Sequence, residues 1–581
     1  MNNPIQAGLE RIRLSFSEKG TYEKIIALMF LPLVFIALYI LGGILSHTFS
    51  DLNIPNEYRE CANVLMTEEL MKGNNPYALS ALNGEYPPFI YLYGPLYSLV
   101  VAGVGTILRT LGFSPDIILL HYLMTFVFIL ISASLAFYPV WKKTGSMTLG
   151  LAAFIFLINC NWRYNYVNAN PDSMGLCIMM LIIFLLTVRD FKGKEIICAL
   201  LTVAVFFTKQ YFLLIAGTVT AFFFLFKGLK NVLKYLISFG VIAAGTVALL
   251  KLSCPLFETY MLYFAKGPGT GIASTVKRGS VRMSGMEFNF QQIMSLGGIF
   301  LTFFIAEAVG CIYFFAAFIR EWKKLKSEEA GTSRGIQVFI EAGRNAGIEP
   351  FDLLMLIHMA VSGICLLYLG QNDGAWLSYY LELFMPALIM GALVLFKKFS
   401  MELSVKGLFG VNQRTSLLIL SALFLMFIGF PISRADERLP VSPLSEEDHT
   451  EWEKAEKLLS ENDGDMYLYP LLGYYGIEHD IYIYNTGQPF VVSERFYESY
   501  HRHPDKMARY PYAENIFTSH FAFREKILDR VRKGEYSLVS YIEGFDEVFD
   551  RSDLSLKYKK SGEYKLRTGR QVWKTELWTL K

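Results

Sequence analysis

The chain has 581 residues, of which 53% are hydrophobic and only 18% are charged, and its mean hydropathy is +0.34. A soluble protein usually carries about 25% charged residues, so this composition excludes an ordinary soluble protein. The formal net charge of +2 gives no indication of a nucleic-acid partner. The seven cysteines form no C-x-x-C pair and mostly fall in apolar runs, which favours small buried side chains.

Apolar runs recur through the first three quarters of the chain, as in a protein that crosses a membrane many times. The runs are 25–46, 89–108, 116–140, 147–162, 171–188, 195–208, 210–226, 232–250, 296–319, 352–369, 378–396 and 415–432. The first run is too long for a signal-peptide core and is interpreted as an uncleaved helix. The stretch 195–226 could be one tilted helix, but a break at Lys209-Gln210 agrees better with the loop charges.

The orientation follows from Lys and Arg in the short loops, which favour the cytoplasmic side. Basic residues before the first run place the N-terminus in the cytoplasm. The run 89–108 determines the orientation of every later helix. The later basic loops are cytoplasmic only if this segment lies along the outer face or re-enters it instead of spanning the membrane. Pro87, Pro88, Gly94 and Pro95 also make it a poor straight helix. We therefore predict about eleven spans of the cytoplasmic membrane, with the C-terminus outside.

The composition changes near Ser433, after which the chain is rich in charge and tyrosine. Strand-like stretches are predicted at 466–472, 481–484 and 536–542, and helix-like ones at 452–459 and 524–533. We predict a helical membrane domain over 1–432, with a first outer loop at 47–115, and a soluble extracytoplasmic α/β domain over 433–581.

Polar residues that border the apolar runs collect on the predicted outer side. They are Asp51, Glu57, Arg59, Glu60, His121, Arg163, Asn170, Asp172, Lys209, Gln210, Gln371, Asp373 and Glu382. Ionisable groups at membrane depth are costly and are functional candidates. Carboxylates and cations facing one outer cavity could deprotonate a hydroxyl and hold a phosphate. For any single residue, an ion-pair network that only holds helices together is the alternative.

Several motifs occur in an order that resembles a known enzyme class. They are N-E-Y-R-E-C-A (56–62), K-G-N-N-P-Y-A-L (72–79), Y-G-P-L-Y (93–97), A-N-P-D-S-M-G-L (169–176), F-T-K-Q (207–210) and G-Q-N-D-G-A-W-L-S-Y-Y-L-E (370–382). This order resembles the bacterial branch of GT-C membrane glycosyltransferases, which includes protein mannosyltransferases and the lipid A aminoarabinose transferase. The resemblance covers roughly 25–400 and, weakly, the C-terminal domain.

The resemblance implies a polyprenyl-phosphate-sugar donor, inverting transfer and an acidic base in the first outer loop, for which Asp51, Glu57 and Glu60 are candidates. It aligns Asp172 with the acid of the second outer turn and Lys209 with a basic residue near the donor phosphate. Tyr379, Tyr380 and Glu382 resemble a late motif that faces the cavity.

The predicted chemistry requires cations that stabilise the leaving phosphate and a carboxylate that accepts the acceptor's proton. Lys209, with Arg59 or Arg163, could supply the positive charge. His121, Asn170, Gln210, Gln371 and Asp373 are further candidates for substrate binding. A divalent metal could bind among so many acids, but no His/Asp ligand spacing demands one.

Three other functions stay open at this point. A transporter or flippase of lipid-linked oligosaccharides would be expected to show inverted repeats and polar residues at mid-membrane, and neither is evident. A polymerase or ligase would be expected to have its large outer loop late in the chain. A non-catalytic carbohydrate-binding protein is the third alternative. For the enzyme, the acceptor could be a glycan, a lipid or a protein.

Overall fold

The computed structural model describes most of the chain, in segments. These are 27–55, 60–83, 91–162, 167–188, 190–264, 275–278, 281–328, 338, 341–343, 345–371, 377–406, 426, 429, 444–479, 481, 494–543, 548–568 and 571–581.

The N-terminal three quarters of the chain is helical. Its helices are α1 (Phe30–Ser50), α2 (Glu60–Met71), α3 (Leu96–Thr110), α4 (Ile117–Thr144), α5 (Met147–Trp162), α6 (Asp172–Thr187), α7 (Lys194–Thr208), α8 (Ile215–Lys227), α9 (Leu229–Ser253), α10 (Gly285–Glu328), α11 (Pro350–Leu369), α12 (Leu377–Leu383) and α13 (Met385–Lys406). A short hairpin of β1 (Thr275–Arg278) and β2 (Val281–Ser284) precedes α10.

Local signals place the ends of these helices. The Asp116 side chain caps α4 by accepting hydrogen bonds from two backbone N–H groups, at 2.8 and 3.2 Å. The same helix ends at Gly145, whose φ of 66° is the left-handed conformation that glycine adopts without strain. α4 packs against α5 and α6, so its two ends set the positions of the turns that follow.

In the part of the chain that the structure describes, five helices are long and apolar enough to span a membrane, or six if the bent pair α12–α13 is one span. The five are α4, α8 together with the 3-10 turn before it (Gln210–Lys227), α9, α10 and α11. α1, α5 and α6 contain shorter apolar segments. The chain is a multi-pass membrane protein. α3 has 15 residues, fewer than the about 20 that a span needs. The run 415–432 lies outside the described residues, and the total of eleven spans stays a prediction.

Two interruptions bear on the candidate site. The predicted break at Lys209-Gln210 is present, because α7 ends at Thr208 and a 3-10 turn covers Gln210–Leu214. α12 and α13 meet at a bend of 47°. Both interruptions leave side chains near the ends of apolar segments, where polar groups can gather.

The C-terminal part contains a small mixed sheet with helices around it. Its helices are α14 (Glu446–Ser460), α15 (Gly473–Glu478), α16 (Glu494–His501), α17 (Pro504–Arg509), α18 (Ala513–Lys533) and α19 (Arg551–Lys557). Its strands are β3 (Met466–Tyr467), β4 (Leu538–Ile542), β5 (Tyr558–Thr568) and β6 (Gln571–Leu580), in the order β3-β4-β6-β5. Among the described strands of this sheet, β3 and β4 pair in parallel and the other pairs are antiparallel.

The C-terminal sequence predictions were partly right. The helices at 452–459 and 524–533 lie within α14 and α18, and the strand at 536–542 contains β4. Of the stretch 466–472, only the first two residues form a strand, since a 3-10 turn follows at Pro470–Leu472. The stretch 482–484 and the predicted boundary at 432/433 lie outside the described residues. The long hairpin β5–β6 was not predicted.

The C-terminal domain packs against the first loop of the membrane domain. The Ser519 hydroxyl of α18 donates to the Leu82 carbonyl at 2.8 Å. The domain also contacts the segment after α9, where the Tyr263 ring is stacked on the Phe496 ring with 4.8 Å between centroids. Stacked rings contribute beyond their buried area, so these contacts hold the domain over one end of the helical bundle.

Candidate functional site

The centre of the candidate site is an ion pair between two distant segments. Lys209 stands between α7 and the 3-10 turn, and its extended backbone (φ −155°, ψ 125°) ends the helix. Its Nζ donates to Oδ1 of Asp172, the first residue of α6, at 2.5 Å. The two residues are 8% and 7% exposed. The structure therefore brings together two residues that the sequence predicted for the same site.

The energetics of this pair do not by themselves show that it stabilises the fold. Asp172 lies at the N-terminus of α6, where the helix dipole favours a negative charge. A buried ion pair is nevertheless weak evidence for stability, because desolvation of both charges can exceed their attraction. Lys209 has three N–H donors, and among the described residues it uses one, on Asp172. The ammonium can therefore still donate to an anionic ligand.

Tyr211 and Glu382 extend the cluster. The Tyr211 hydroxyl lies 3.3 Å from Asp172 Oδ1 and within hydrogen-bond distance of Glu382 Oε2. The Tyr379 ring packs on the Tyr211 ring, with centroids 4.3 Å apart. Two carboxylates, one ammonium and a phenol hydroxyl thus meet where α6, the 3-10 turn and α12 converge. Such a cluster can bind an anion through the ammonium and accept a proton through a carboxylate.

Aromatic rings flank the ammonium of Lys209. Its Nζ lies 5.3 Å from the centroid of the Tyr93 ring and 4.9 Å from that of Tyr211, within the range of cation–π attraction. Gly94 makes the approach of Tyr93 possible, because a Cβ there would lie 1.8 Å from the backbone oxygen of Phe207. The Y-G-P-L-Y motif thus has a packing reason: glycine lets this segment touch α7 just before Lys209.

The Glu60 side chain is buried and hydrogen-bonded to two tyrosines from other parts of the chain. It is fully buried, and its Oε2 accepts hydrogen bonds from Tyr122 of α4 at 3.1 Å and from Tyr474 of α15 at 2.8 Å. Burial, together with the nearby charge of Glu60, raises the pKa of Tyr474 well above its usual range, so the hydroxyl remains a donor. The carboxylate thus joins the first loop to the C-terminal domain.

Asp51 also faces the C-terminal domain. Its Oδ1 lies 3.4 Å from Nε2 of His449 in α14. Both described acids of the first loop that were candidates for the base are therefore in contact with C-terminal side chains. Glu57, the third candidate, lies outside the described residues, as do Arg59, Arg163 and Asp373.

Several other predicted residues hold the scaffold around the cluster. His121 lies between Tyr97 and Thr67, with both ring nitrogens 2.9 Å from a hydroxyl oxygen. Asn170 accepts from Asn63 of α2 at 2.9 Å, which fixes the turn before Asp172. These contacts position α2, α4 and the α6 turn against one another.

The remaining amide and tyrosine candidates bind to the protein itself. Gln210 donates to the carbonyls of Leu92 at 2.8 Å and Met261 at 3.2 Å. Gln371 donates to the Leu367 carbonyl at 2.6 Å. Of the two neighbouring tyrosines, Tyr380 points away from the cluster, and its hydroxyl donates to the side-chain amide oxygen of Asn289 in α10. Tyr379 is the one that packs on Tyr211.

Sequence reasoning missed four tyrosines, namely Tyr93, Tyr211, Tyr122 and Tyr474. Two of them had a signal, since Tyr93 belongs to the Y-G-P-L-Y motif and Tyr211 directly follows F-T-K-Q. Tyr122 and Tyr474 had none, because they reach Glu60 from separate parts of the chain. Within the described segments, no group of three or more His, Cys, Asp and Glu residues could hold a metal ion.

Comparison with known proteins gives matches to solved structures at low sequence identity. No family model and no curated protein matches the chain. Among solved structures, it is similar to ArnT from Cupriavidus metallidurans bound to undecaprenyl phosphate, with 11% identity, a TM-score of 0.49, and coverage of 93% of this chain and 97% of that one. It is also similar to the Archaeoglobus fulgidus oligosaccharyltransferase tethered to an acceptor peptide, with 12% identity, a TM-score of 0.46, and coverage of 96% and 74%.

Proposed function

We propose that this protein is a GT-C-type glycosyltransferase of the cytoplasmic membrane. It transfers a sugar from a polyprenyl-phosphate donor to an acceptor hydroxyl at the outer face, with inversion at the anomeric carbon. The observation that carries the proposal is the buried cluster of Lys209, Asp172, Tyr211 and Glu382 at one end of a membrane-embedded helical bundle. The position of the cluster beside apolar helices suits a substrate with a lipid tail, whereas a water-soluble substrate would not need that position.

The cluster suits the departure of a lipid phosphate. In the transfer step, the acceptor oxygen bonds to the anomeric carbon, and the bond from that carbon to the phosphate oxygen breaks. The leaving phosphate keeps the electron pair, and an ammonium beside it stabilises the charge that develops. Lys209 is suited to this task because its remaining N–H groups can reach a phosphate oxygen without breaking the bond to Asp172.

The acceptor's proton goes to a carboxylate, which we assign to the first outer loop. Asp51, Glu57 and Glu60 are the candidates, and Asp172 is the alternative from the second outer turn. The contacts of Asp51 with His449 and of Glu60 with Tyr474 favour a connecting role for these two acids. Glu57 is then the first acid to test as the base, since a base must be able to meet the acceptor.

The aromatic side chains give the donor sugar a surface. Tyr93, Tyr211 and Tyr379 lie around the ammonium, and such rings present apolar faces on which the C–H face of a sugar can pack. The C-terminal domain covers the first loop, where it could orient the acceptor. A membrane location and an outward-facing C-terminal domain are part of the proposal.

The test is release of polyprenyl phosphate by the purified protein in lipid, offered a panel of polyprenyl-phosphate sugars and a crude envelope acceptor extract. We expect release that depends on acceptor and that falls at least about a hundredfold in Lys209→Met. Lys227→Met is the matched control, because Lys227 pairs with Asp190 near the opposite end of α8.

The base is tested in the same assay with Asp51→Asn, Glu57→Gln, Glu60→Gln and Asp172→Asn. We expect one first-loop variant to lose transfer while it still binds donor. Full activity in all four would contradict the base assignment. Absence of release from folded protein with every donor, together with transbilayer movement of a labelled lipid-linked glycan, would replace the enzyme by a transporter.

A further inference from the structure

A cavity lies far from the Lys209 cluster. It has a volume of about 820 Å³ and lies between α8, α10, α11 and α13. Leu225 and Phe226, which line it, stand at the end of α8 that is remote from Lys209. α8 has 13 residues and so is about 20 Å long at 1.5 Å per residue. The cavity is thus separate from the site described above.

Glu307 brings an acidic group to this cavity, whose walls are mostly apolar. It lies within α10, is 6% exposed and lines the cavity. Its Oε2 is buried and has no hydrogen-bond partner among the residues that the structure describes. Gly391 of α13 leaves room for the carboxyl group, since a Cβ there would lie 3.1 Å from that oxygen. A buried polar atom of this kind is expected to have a partner when the site is filled.

The other charges at the cavity are already paired. Glu349 lies 2.8 Å from Nζ of Lys143, and Asp352 pairs with Lys398. Both acids line the cavity with Glu307. In this group of five ionisable side chains, three acids face two lysines, which leaves one carboxyl group in excess. The complement is a group with a single positive charge that can donate a hydrogen bond.

The walls of the cavity indicate what else, besides a positively charged group, a ligand would need. Ile312 and Phe315 line it and are 71% and 63% exposed, and in a membrane protein such exposed apolar side chains face lipid. The cavity therefore opens sideways toward the bilayer. Its volume is within the range of roughly 300–1,000 Å³ that holds one small ligand. A ligand that enters from the bilayer carries an apolar chain.

We propose that this cavity binds an amphiphile with a primary ammonium head and an alkyl chain. The ammonium donates to Glu307, and the chain lies among the aromatic and aliphatic side chains of α8, α10 and α11. The ammonium head is favoured because Glu307 is the one acid of this group that is not paired with a lysine. The lateral opening selects an amphiphile over a water-soluble amine.

The test is protection of Cys311, which lines the cavity, from alkylation by N-ethylmaleimide. Full-length protein in lipid nanodiscs is exposed to dodecylammonium or to dodecanol, and the alkylation of each cysteine is followed by mass spectrometry. A hydrogen bond to a charged group is stronger than one between neutral groups. We therefore expect dodecylammonium to protect Cys311 at concentrations about tenfold lower than dodecanol does. Cys254 and Cys365, which are also partly exposed, do not line this cavity and serve as internal controls.

Glu307→Gln removes the ionisable carboxyl group at nearly constant volume and should abolish the difference between the two probes. Unchanged alkylation of Cys254 and Cys365 in this variant shows that it is folded. Equal protection by both probes in the unaltered protein would overturn the proposal and leave only a groove for apolar chains. Failure of dodecylammonium to protect Cys311, or equal slowing at all three cysteines, would overturn it too. None of these readouts depends on sugar transfer.

Discussion

The buried pair of Lys209 and Asp172 allows stability to be separated from catalysis. Lys209→Met leaves Asp172 as a buried carboxylate without its ammonium, and loss of one partner of a buried pair typically costs about 3–5 kcal/mol. The pair has only 7–8% of its surface exposed and a 2.5 Å contact, so solvent cannot replace the lost ammonium. We therefore expect clear destabilisation in the single variant.

The double variant Lys209→Met with Asp172→Asn should recover most of that stability, because no carboxylate then remains at position 172, while Glu382 is the same in the single and the double variant. It should not recover transfer. An ammonium that stabilises the leaving phosphate contributes about a hundredfold to a thousandfold to the rate, and neither variant retains it. Stability and activity are thus expected to respond differently to the second substitution.

The assay compares thermal unfolding and polyprenyl-phosphate release in the same lipid for Lys209→Met, Asp172→Asn and the double variant. Lys227→Met is the control: its pair with Asp190 is 32% and 56% exposed, so a loss of at most about 1 kcal/mol is expected. Recovery of transfer in the double variant would refute the role of Lys209 at the phosphate. A double variant as unstable as Lys209→Met would refute the electrostatic account of the pair.

Three further predictions test the surroundings of the cluster. Gly94→Ala should abolish transfer, because its Cβ would lie 1.8 Å from a backbone oxygen of α7, whereas Gly103→Ala, with open space around it, should be neutral in the same assay. Tyr474→Phe should lower the melting temperature through loss of a hydrogen bond to a buried carboxylate, about 1.5–3 kcal/mol; an equal effect of Tyr475→Phe, at a partly exposed neighbour, would contradict this. Tyr211→Phe should reduce kcat/KM roughly tenfold or more, as it removes the hydroxyl between two carboxylates, and unchanged kinetics would exclude that hydroxyl from the site.

The predictions from sequence succeeded where a local pattern was sufficient. Apolar runs indicated the membrane helices because each span must satisfy its own backbone hydrogen bonds. The break at Lys209 followed from a lysine and a glutamine between two apolar runs. Asp172 and Lys209 were predicted for one site; the structure brings them into contact, and their part in a functional site stays a prediction. The hairpin β5–β6 was missed, since β5 is rich in charged residues and its buried and exposed positions do not alternate clearly.

The amino-acid sequence by itself determined that this is a multi-pass membrane protein with polar residues at the ends of its apolar segments, because membrane insertion depends on composition along the chain. Tertiary structure decided which of these residues meet. Glu60 looked like a free acid of the first loop, but Tyr122 and Tyr474 enclose it from positions 62 and 414 residues away. Contacts over such distances depend on how the helices and the C-terminal domain pack, and no local pattern records that packing.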